Sequence, residues 1–413
     1  MRVLWFEITE PAKYVSFKNP IGGWQDSLER IVRSIPEIDL EIAFVSEKFS
    51  EVKVIEGVRY IPIKLKLSRV ELLFKRYWAV YVKKVLPEVK RIVEDSKPDI
   101  IHIFGTEWPL GQVAAYTDVP VVIHIMGAVV PYNNANYPPG YSYWQIVHNC
   151  WWNPKTLFLT WREYLYRKDW ERLERKTWQL VSNYMGRTQW DCSLSRIMHP
   201  ERRYFHVDEA LRLVFLTNKK WSVPNDSKIK LISIGCSTFW KGPDMMIKVA
   251  RILSDLKIDY EWNVAGFMSD TLKQMIEKSE GVRFNECNIN ILGFVQPEEL
   301  LDLLCSSTLY VHTAYIENSP NSICEAQCLG IPVVSTNVGG IATLVRNGED
   351  GILVPANDPW QMADAIIELS KDKNRLLRYS ENNRKLALVR HNDENIKKQL
   401  LECYNSLINE ISG

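Results

Sequence analysis

TAYIENSPNSICEAQCLGIPVVSTNVGG, residues 313–340, is the stretch whose reading decides the fold. A β-branched run over Thr308–Thr313 leads into it, and the chain delivers Glu317 at the carboxyl edge of that strand. Ser319 is a good N-cap and Pro320 a good first helical residue. The helix they open is predicted to run to Leu329, where Gly330 suits the left-handed C′ position and Pro332 prevents continuation. Val333–Thr336 then returns as a strand. Strand, helix and strand in so short a span are the repeat of a parallel α/β sheet. At the helix start the amides of Asn321 and Ser322 lack intrahelical acceptors and carry partial positive charge, which makes an anion site suited to a phosphate. Glu325 stands about two turns further on, eight residues after Glu317. A carboxylate there can accept two hydrogen bonds from a vicinal diol such as a ribose. Its local sequence fits a solvated helix position equally well.

The same rhythm extends outward. Further strands are predicted at Leu231–Gly235, Trp262–Ala265, Ile289–Gly293 and Ile352–Val354, with helices at Pro243–Leu256, Pro297–Ser306 and Trp360–Ser370 and a helical tail over Lys373–Ile411. The N-terminal half alternates likewise, with strands at Val3–Ile8, Leu40–Ser46, Arg59–Lys64, Ile100–Phe104, Val121–Met126 and Leu180–Arg187, and helices such as Trp24–Ile35 and Val70–Ile92. Residues 206–228, ending in NKKWSVPNDSK, break the rhythm and read as a linker. The predicted organisation is an N-terminal domain over 1–205, a C-terminal domain over 229–385 and a terminal helix over 386–413 that packs back on the first domain. In doubly wound sheets, ligands bind beyond the carboxyl ends of the strands. Gly127, Gly235, Gly339 and Gly340 all follow strands, and Gly22 and Gly23 precede the first long helix. Each alone reads as a turn; their shared position marks a ligand edge.

Composition narrows the class. Lys and Arg number 51 against 50 Asp and Glu, for a net charge of +1. The balance is uneven, with 27 against 22 in residues 1–200 and 24 against 28 in the rest, so the N-terminal half leans toward an acidic partner. Eight single cysteines without a CxxC pair suggest a reducing compartment and no zinc site. MRVLWFEI reads as a first strand rather than a leader, and no apolar run is long enough to span a bilayer, so a cytoplasmic location is expected. Residues 64–92 carry nine Lys/Arg against two Asp/Glu, with Val70, Leu73, Phe74, Tyr77, Tyr81 and Val85 in one helical stripe and Lys75, Arg76, Lys83 and Lys84 largely off it. Pro154–Leu180 adds Trp161, Tyr164, Tyr166, Trp170 and Trp178 among Arg and Lys. Such faces either pack on a sheet or meet an anionic membrane surface, at its inner, cytoplasmic side. No nucleic-acid recognition motif accompanies the charge. No Asp-x-Asp pair stands at a strand end, so neither metal nor other cofactor is expected.

The E-x7-E pattern, followed by EAQCLGIPVVSTNVGG and NGEDGILVPANDPWQMADAI, resembles the retaining glycosyltransferases of family 4, which have the GT-B fold: two doubly wound Rossmann-like α/β domains facing each other across a cleft. The resemblance covers 230–369 and includes ISIG and WKGPDMMI within 232–247 and ILGFVQPEEL at 291–300. In the N-terminal half, KPDIIHIFG, VPVVIHIMG and GGWQDSLERI match more loosely, and GRTQWD and FHVDEALR resemble variants common among bacterial surface-polysaccharide transferases. The resemblance implies transfer of a sugar from a nucleotide-sugar donor, UDP- or GDP-linked, to a glycan or polyprenyl-linked acceptor. It implies that Glu325 holds the ribose hydroxyls and that Glu317 sits by the donor sugar. Amides of Asn318, Ser319, Asn321 and Ser322 would contact sugar and diphosphate, Lys241 would neutralise the departing diphosphate, and Gly23 would let its loop approach the phosphates. Three positions depart from the family pattern: Cys236 stands where an arginine is usual, Met126 where a histidine is frequent and Thr343 where a glutamate is common. Arg187 is a candidate replacement cation. Two other readings share the fold: a nucleotide-sugar epimerase, and a catalytically weakened paralogue acting as a partner or scaffold.

Overall fold

Buried parallel strands need apolar residues on both faces, and the chain supplies them. In β1 (Arg2–Glu7) every residue after Arg2 is buried. Its alternate residues serve opposite layers: Leu4 and Phe6 pack with Tyr81, Val85 and Val89, whereas Val3 and Trp5 pack with Leu28, Ile31, Leu400 and Tyr404. The computed structural model describes residues 1–15, 23–73, 77–149, 151–216 and 219–409. Two compact units emerge. One comprises Met1–Val130, Phe158–Ala210 and His391–Gly413; the other comprises Pro131–Leu157 and Leu211–Arg390.

Among the described residues the first unit holds eight strands: β1, β2 (Asp39–Ser46), β3 (Lys53–Ile55), β4 (Val58–Lys64), β5 (Ile100–Phe104), β6 (Val121–His124), β7 (Asn183–Gly186) and β8 (Arg203–His206), in the order β3-β4-β2-β1-β5-β6-β7-β8. All neighbours are parallel except β3 and β4, an antiparallel edge pair. One face is covered by the helix Tyr77–Ser96 and the end of Pro154–Leu180, the other by Trp24–Val32 and the terminal helix Asp393–Asn409. Trp5 donates its indole N–H to the Tyr404 hydroxyl at 3.1 Å, and that hydroxyl meets His102 Nδ1 at 2.7 Å, so the tail helix is bonded to this sheet.

The second unit holds β9 (Ile229–Ile234), β10 (Tyr260–Ala265), β11 (Ile289–Gly293), β12 (Leu309–His312), β13 (Val333–Thr336) and β14 (Gly351–Val354), all parallel, in the order β11-β10-β9-β12-β13-β14. Counted from β9, this is the doubly wound order 3-2-1-4-5-6, and its switch point lies between β9 and β12. Pro131–Leu157 joins this unit because its tyrosines seat there. Tyr141 donates to Glu280 at 2.8 Å and packs on Phe239, and Tyr132 packs on Trp240.

Several predicted boundaries shift for local reasons. The expected strand Leu180–Arg187 is only Asn183–Gly186, because Thr177 and Trp178 carry the long helix into the core as far as Leu180. The tail is two helices, Lys373–Arg390 and Asp393–Asn409, since the Asn392 carboxamide oxygen accepts the amides of Glu394 and Asn395 and starts a new helix. In the basic stretch, Tyr81 and Val85 are buried against the sheet and Val70 is exposed; Phe74, Lys75 and Arg76 lie outside the described residues. Among the described residues no helix is long and apolar enough to cross a membrane.

Candidate functional site

The carboxyl edge between β9 and β12 is where the sheet order reverses, and two loops meet there. Beyond β9 the chain turns at Gly235, with φ of 91°, and makes the short turn Phe239–Lys241, closed by Gly242 with φ of 72°. A side chain at Gly242 would put its Cβ 2.0 Å from the Thr313 carbonyl oxygen, so only glycine lets this loop lie against the β12 exit. Three bonds stitch the loops together. Thr313 Oγ1 donates to the Lys241 carbonyl at 3.0 Å, the Tyr315 amide donates to the Trp240 carbonyl at 2.7 Å, and the Tyr315 hydroxyl donates to Asp244 Oδ2 at 2.8 Å.

Lys241 and Glu317 come together through this stitching. The Lys241 ammonium donates to Glu317 Oε1, with the lysine side chain 27% exposed and the glutamate 7%. His312 Nε2, at the end of β12, lies 3.9 Å from the same oxygen. Burial pushes the His312 imidazole down to about 4, with Glu317 opposing and Lys241 adding to the fall, so the ring is neutral near pH 7. The paired glycines after β13 grip Glu317 by its backbone: the Gly340 amide donates to the Glu317 carbonyl at 2.9 Å, and a Cβ on Gly339 would stand 1.8 Å from that carbonyl oxygen.

The helix Asn321–Leu329 starts one residue later than its sequence suggests. Pro320, with ψ of 114°, is the N-cap in place of Ser319; its extended backbone lies outside the helix while its carbonyl accepts the amides of Ile323 and Cys324. Asn318 and Ser319 are buried beside this start. Glu325 has a partner that its local sequence did not disclose. Arg212 Nε and Nη2 donate to its two oxygens, both at 2.8 Å, in a fork across 113 residues of chain. Burial lifts the Glu325 carboxyl above the usual carboxylate range and the guanidinium pulls it part of the way back. The signal for Arg212 was its place in FHVDEALR, beyond the strand-helix pattern used to place other residues.

The remaining candidates occupy other surroundings. Gly235 stands beside Lys241, whose aliphatic carbons would be 3.9 Å from an added Cβ. Cys236 points inward, fully buried, with Sγ 3.6 Å from the Gly266 carbonyl, and burial pushes its thiol up to about 11; it presents no cation to the edge. In the first unit, Gly23 is the N-cap of Trp24–Val32, its amide donating to Asp26 Oδ2 at 2.8 Å, and Gly22 lies outside the described residues. Gly127 follows the β6 exit and its carbonyl accepts from Thr106. Arg187 is buried and bonded to Glu209 at 2.7 Å and to the Ile125 carbonyl at 3.1 Å, with its guanidinium over Trp24, so its charge is already engaged in that unit. His124 is fully buried, and burial, then Arg187, push it well below its ordinary range.

Comparison with known proteins points the same way. Residues 215–386 match the sequence model of the family described as Glycosyl transferases group 1. An uncharacterized glycosyltransferase of Methanocaldococcus jannaschii is 27% identical over 194 residues, 46% of this chain and 49% of that protein. A D-inositol 3-phosphate glycosyltransferase of Corynebacterium urealyticum is 30% identical over 173 residues, 40% of each chain. The chain thus spans about half or less of the length of the curated relatives it matches. Among solved structures, sucrose-phosphate synthase from Thermosynechococcus elongatus superposes with a TM-score of 0.72 at 15% identity, covering 99% of this chain and 100% of that one. HepE of Anabaena in complex with UDP-glucose gives 0.65 at 14%, covering 98% and 100%. WaaG, a glycosyltransferase involved in lipopolysaccharide biosynthesis, gives 0.64 at 16%, covering 98% and 99%. The fold class is therefore the α/β GT-B fold, with its two Rossmann-like parallel sheets.

Proposed function

We propose that the chain is a retaining glycosyltransferase that moves a sugar from a nucleotide-diphosphate sugar to a glycan or lipid-linked acceptor. The observation that carries the proposal is the convergence of Lys241, Glu317 and the start of Asn321–Leu329 at the β9/β12 switch point, within the segment matching the glycosyl transferases group 1 family. Neighbours of the same fold are described in complex with UDP and with UDP-glucose, which supports a nucleotide-sugar donor.

In this proposal the anomeric C–O bond breaks toward the diphosphate, on which negative charge develops. Lys241 and the free amides at the helix start stabilise that charge in place, a cation and aligned dipoles aimed where the charge grows. Glu317 accepts hydrogen bonds from the donor sugar. Glu325, whose oxygens each keep a further lone pair beyond the Arg212 fork, takes the ribose diol. The acceptor hydroxyl attacks on the face the diphosphate leaves and gives its proton to the departing phosphate oxygen. The proposal calls for no metal. On the acceptor side, Trp161, Tyr164 and Leu165 are exposed on the helix Pro154–Leu180, with Lys168 and Arg172 following on the same face, which supports an anionic membrane surface at the cytoplasmic side. Tyr166 and Trp170 pack against the core and Trp178 is buried within it, so these three are withdrawn from that face.

The test is release of nucleoside diphosphate from UDP- and GDP-sugars, with and without acceptor extracts, by wild type, Lys241→Ala and Glu317→Gln. Turnover of at least one donor that falls ~100-fold or more in both variants is expected. Undiminished turnover in both would refute the site.

A further inference from the structure

Glu317 is 6% exposed and its Oε1 is shared between two neighbours, Lys241 and, at 3.9 Å, His312 Nε2. The proposed reaction draws Lys241 toward a diphosphate. A buried carboxylate that loses its cation is strongly disfavoured unless another donor takes its place. His312 is 3% exposed, and its Nε2 has no hydrogen-bond partner among the described residues.

The state of that ring follows from its other side. The Tyr310 hydroxyl lies 3.3 Å from His312 Nδ1 and is placed to donate to it. With Nδ1 accepting, the ring proton resides on Nε2, the atom facing Glu317. Tyr310 and His312 are neighbours on one face of β12, and their rings stack at 6.2 Å, which fixes the imidazole plane. The titratable groups facing His312 are Glu317, Lys241 and Tyr310.

We propose that His312 is a positioning residue: its Nε2–H becomes the partner of Glu317 when Lys241 turns to the diphosphate, and so holds the carboxylate aimed at the donor sugar. The inference rests on the donor-site reading above. Tyr310, His312 and Glu317 then form one line of polar neighbours running from β12 to the donor sugar.

Nucleoside diphosphate binding tests it, measured by calorimetric titration with whichever of UDP, GDP, ADP and TDP binds the wild-type protein. His312→Leu removes the stand-by donor and weakens binding ~10- to 100-fold, with a small change in the nucleotide-free melting midpoint. His312→Gln, whose amide can present an N–H toward Glu317, recovers most of the affinity. Tyr310→Phe, which keeps the ring and frees the tautomer, gives an intermediate loss and serves if the leucine variant does not fold. In a Lys241→Met background the effect of His312→Leu on nucleotide affinity vanishes, because no partner exchange remains to be made. Wild-type binding that His312→Leu leaves intact, or that glutamine and leucine weaken equally, overturns the partner exchange and leaves the donor site standing. Absence of binding by the wild-type protein overturns both.

Discussion

Arg212→Met removes the guanidinium bonded to both oxygens of Glu325, a carboxylate whose side chain is 3% exposed. Breaking a buried pair by deleting one partner costs about 3–5 kcal/mol, because the remaining charge is stranded. Arg212 is itself 26% exposed, so water reaches the pair from that side and the expectation falls to the lower end, about 3 kcal/mol. A unit the size of the one holding both residues shifts its melting midpoint by about 2–4 °C per kcal/mol, giving a fall of roughly 6–12 °C. Glu325→Gln is milder, about 1 kcal/mol, since the half-solvated arginine can turn to water. The double variant Arg212→Met/Glu325→Gln should recover most of the loss. Burial already raises the Glu325 carboxyl, and without Arg212 it rises further. A group whose folded value lies above its unfolded value, about 4.3, contributes stability below that value and loses it as pH rises through the folded one. The single variant is therefore nearest wild type in acid and furthest from it in alkali. Differential scanning calorimetry at pH 5 and pH 8 reads both effects. A fall under 2 °C, or one equal at the two pH values, would refute the reasoning.

Three further outcomes follow from other parts of the molecule. Gly339→Ala forces a Cβ to within 1.8 Å of the Glu317 carbonyl at a φ of 53°, so it should cost at least ~2 kcal/mol and abolish turnover; an active, equally stable variant would contradict the backbone grip on Glu317. Cys236, buried and with its thiol pushed up to about 11, should label with iodoacetamide at pH 8 far more slowly than the partly exposed Cys192, as read by peptide mass spectrometry. Trp161→Glu and Tyr164→Glu together should release the protein from vesicles rich in anionic lipid in a flotation assay, whereas Lys83→Glu/Lys84→Glu should matter less, because Lys84 is tied to Glu71 and the Lys66 carbonyl.

Much of the fold was legible because its signals are local. Ile289–Gly293, Val333–Thr336 and Pro297–Ser306 each stand between breakers and run as read. What escaped lacked such a signal. β3 is three residues long and its pairing is fixed by the turn at Glu56 and Gly57, both left-handed. β8 reads RYFH because an edge strand needs less apolar surface. The helix Asp270–Glu280 buries only Leu272 and Ile276, a stripe too thin to stand out among its charges. At the site, Glu317 and Glu325 were singled out by a strand exit and a helix start, and Lys241 by the family resemblance. Arg212 and His312 were not, because their meaning depends on contacts made by the fold: a fork across 113 residues, and a ring turned by Tyr310. Ser319 was misplaced as the cap because both it and Pro320 suit the end of a helix, and the backbone angle at Pro320 decides between them.

The central claim is a diphosphate site at the β9/β12 edge, and binding of nucleoside diphosphates tests it most directly. Titrated with UDP, GDP, ADP and TDP, the wild-type protein should bind at least one, raising its melting midpoint by mass action with about 2.7 kcal/mol of added stability at a hundredfold excess over Kd. Lys241→Ala should weaken that binding ~10-fold or more by removing a charged hydrogen-bond donor. Wild-type protein that binds none of the four, or binding that Lys241→Ala leaves unchanged, would contradict the account.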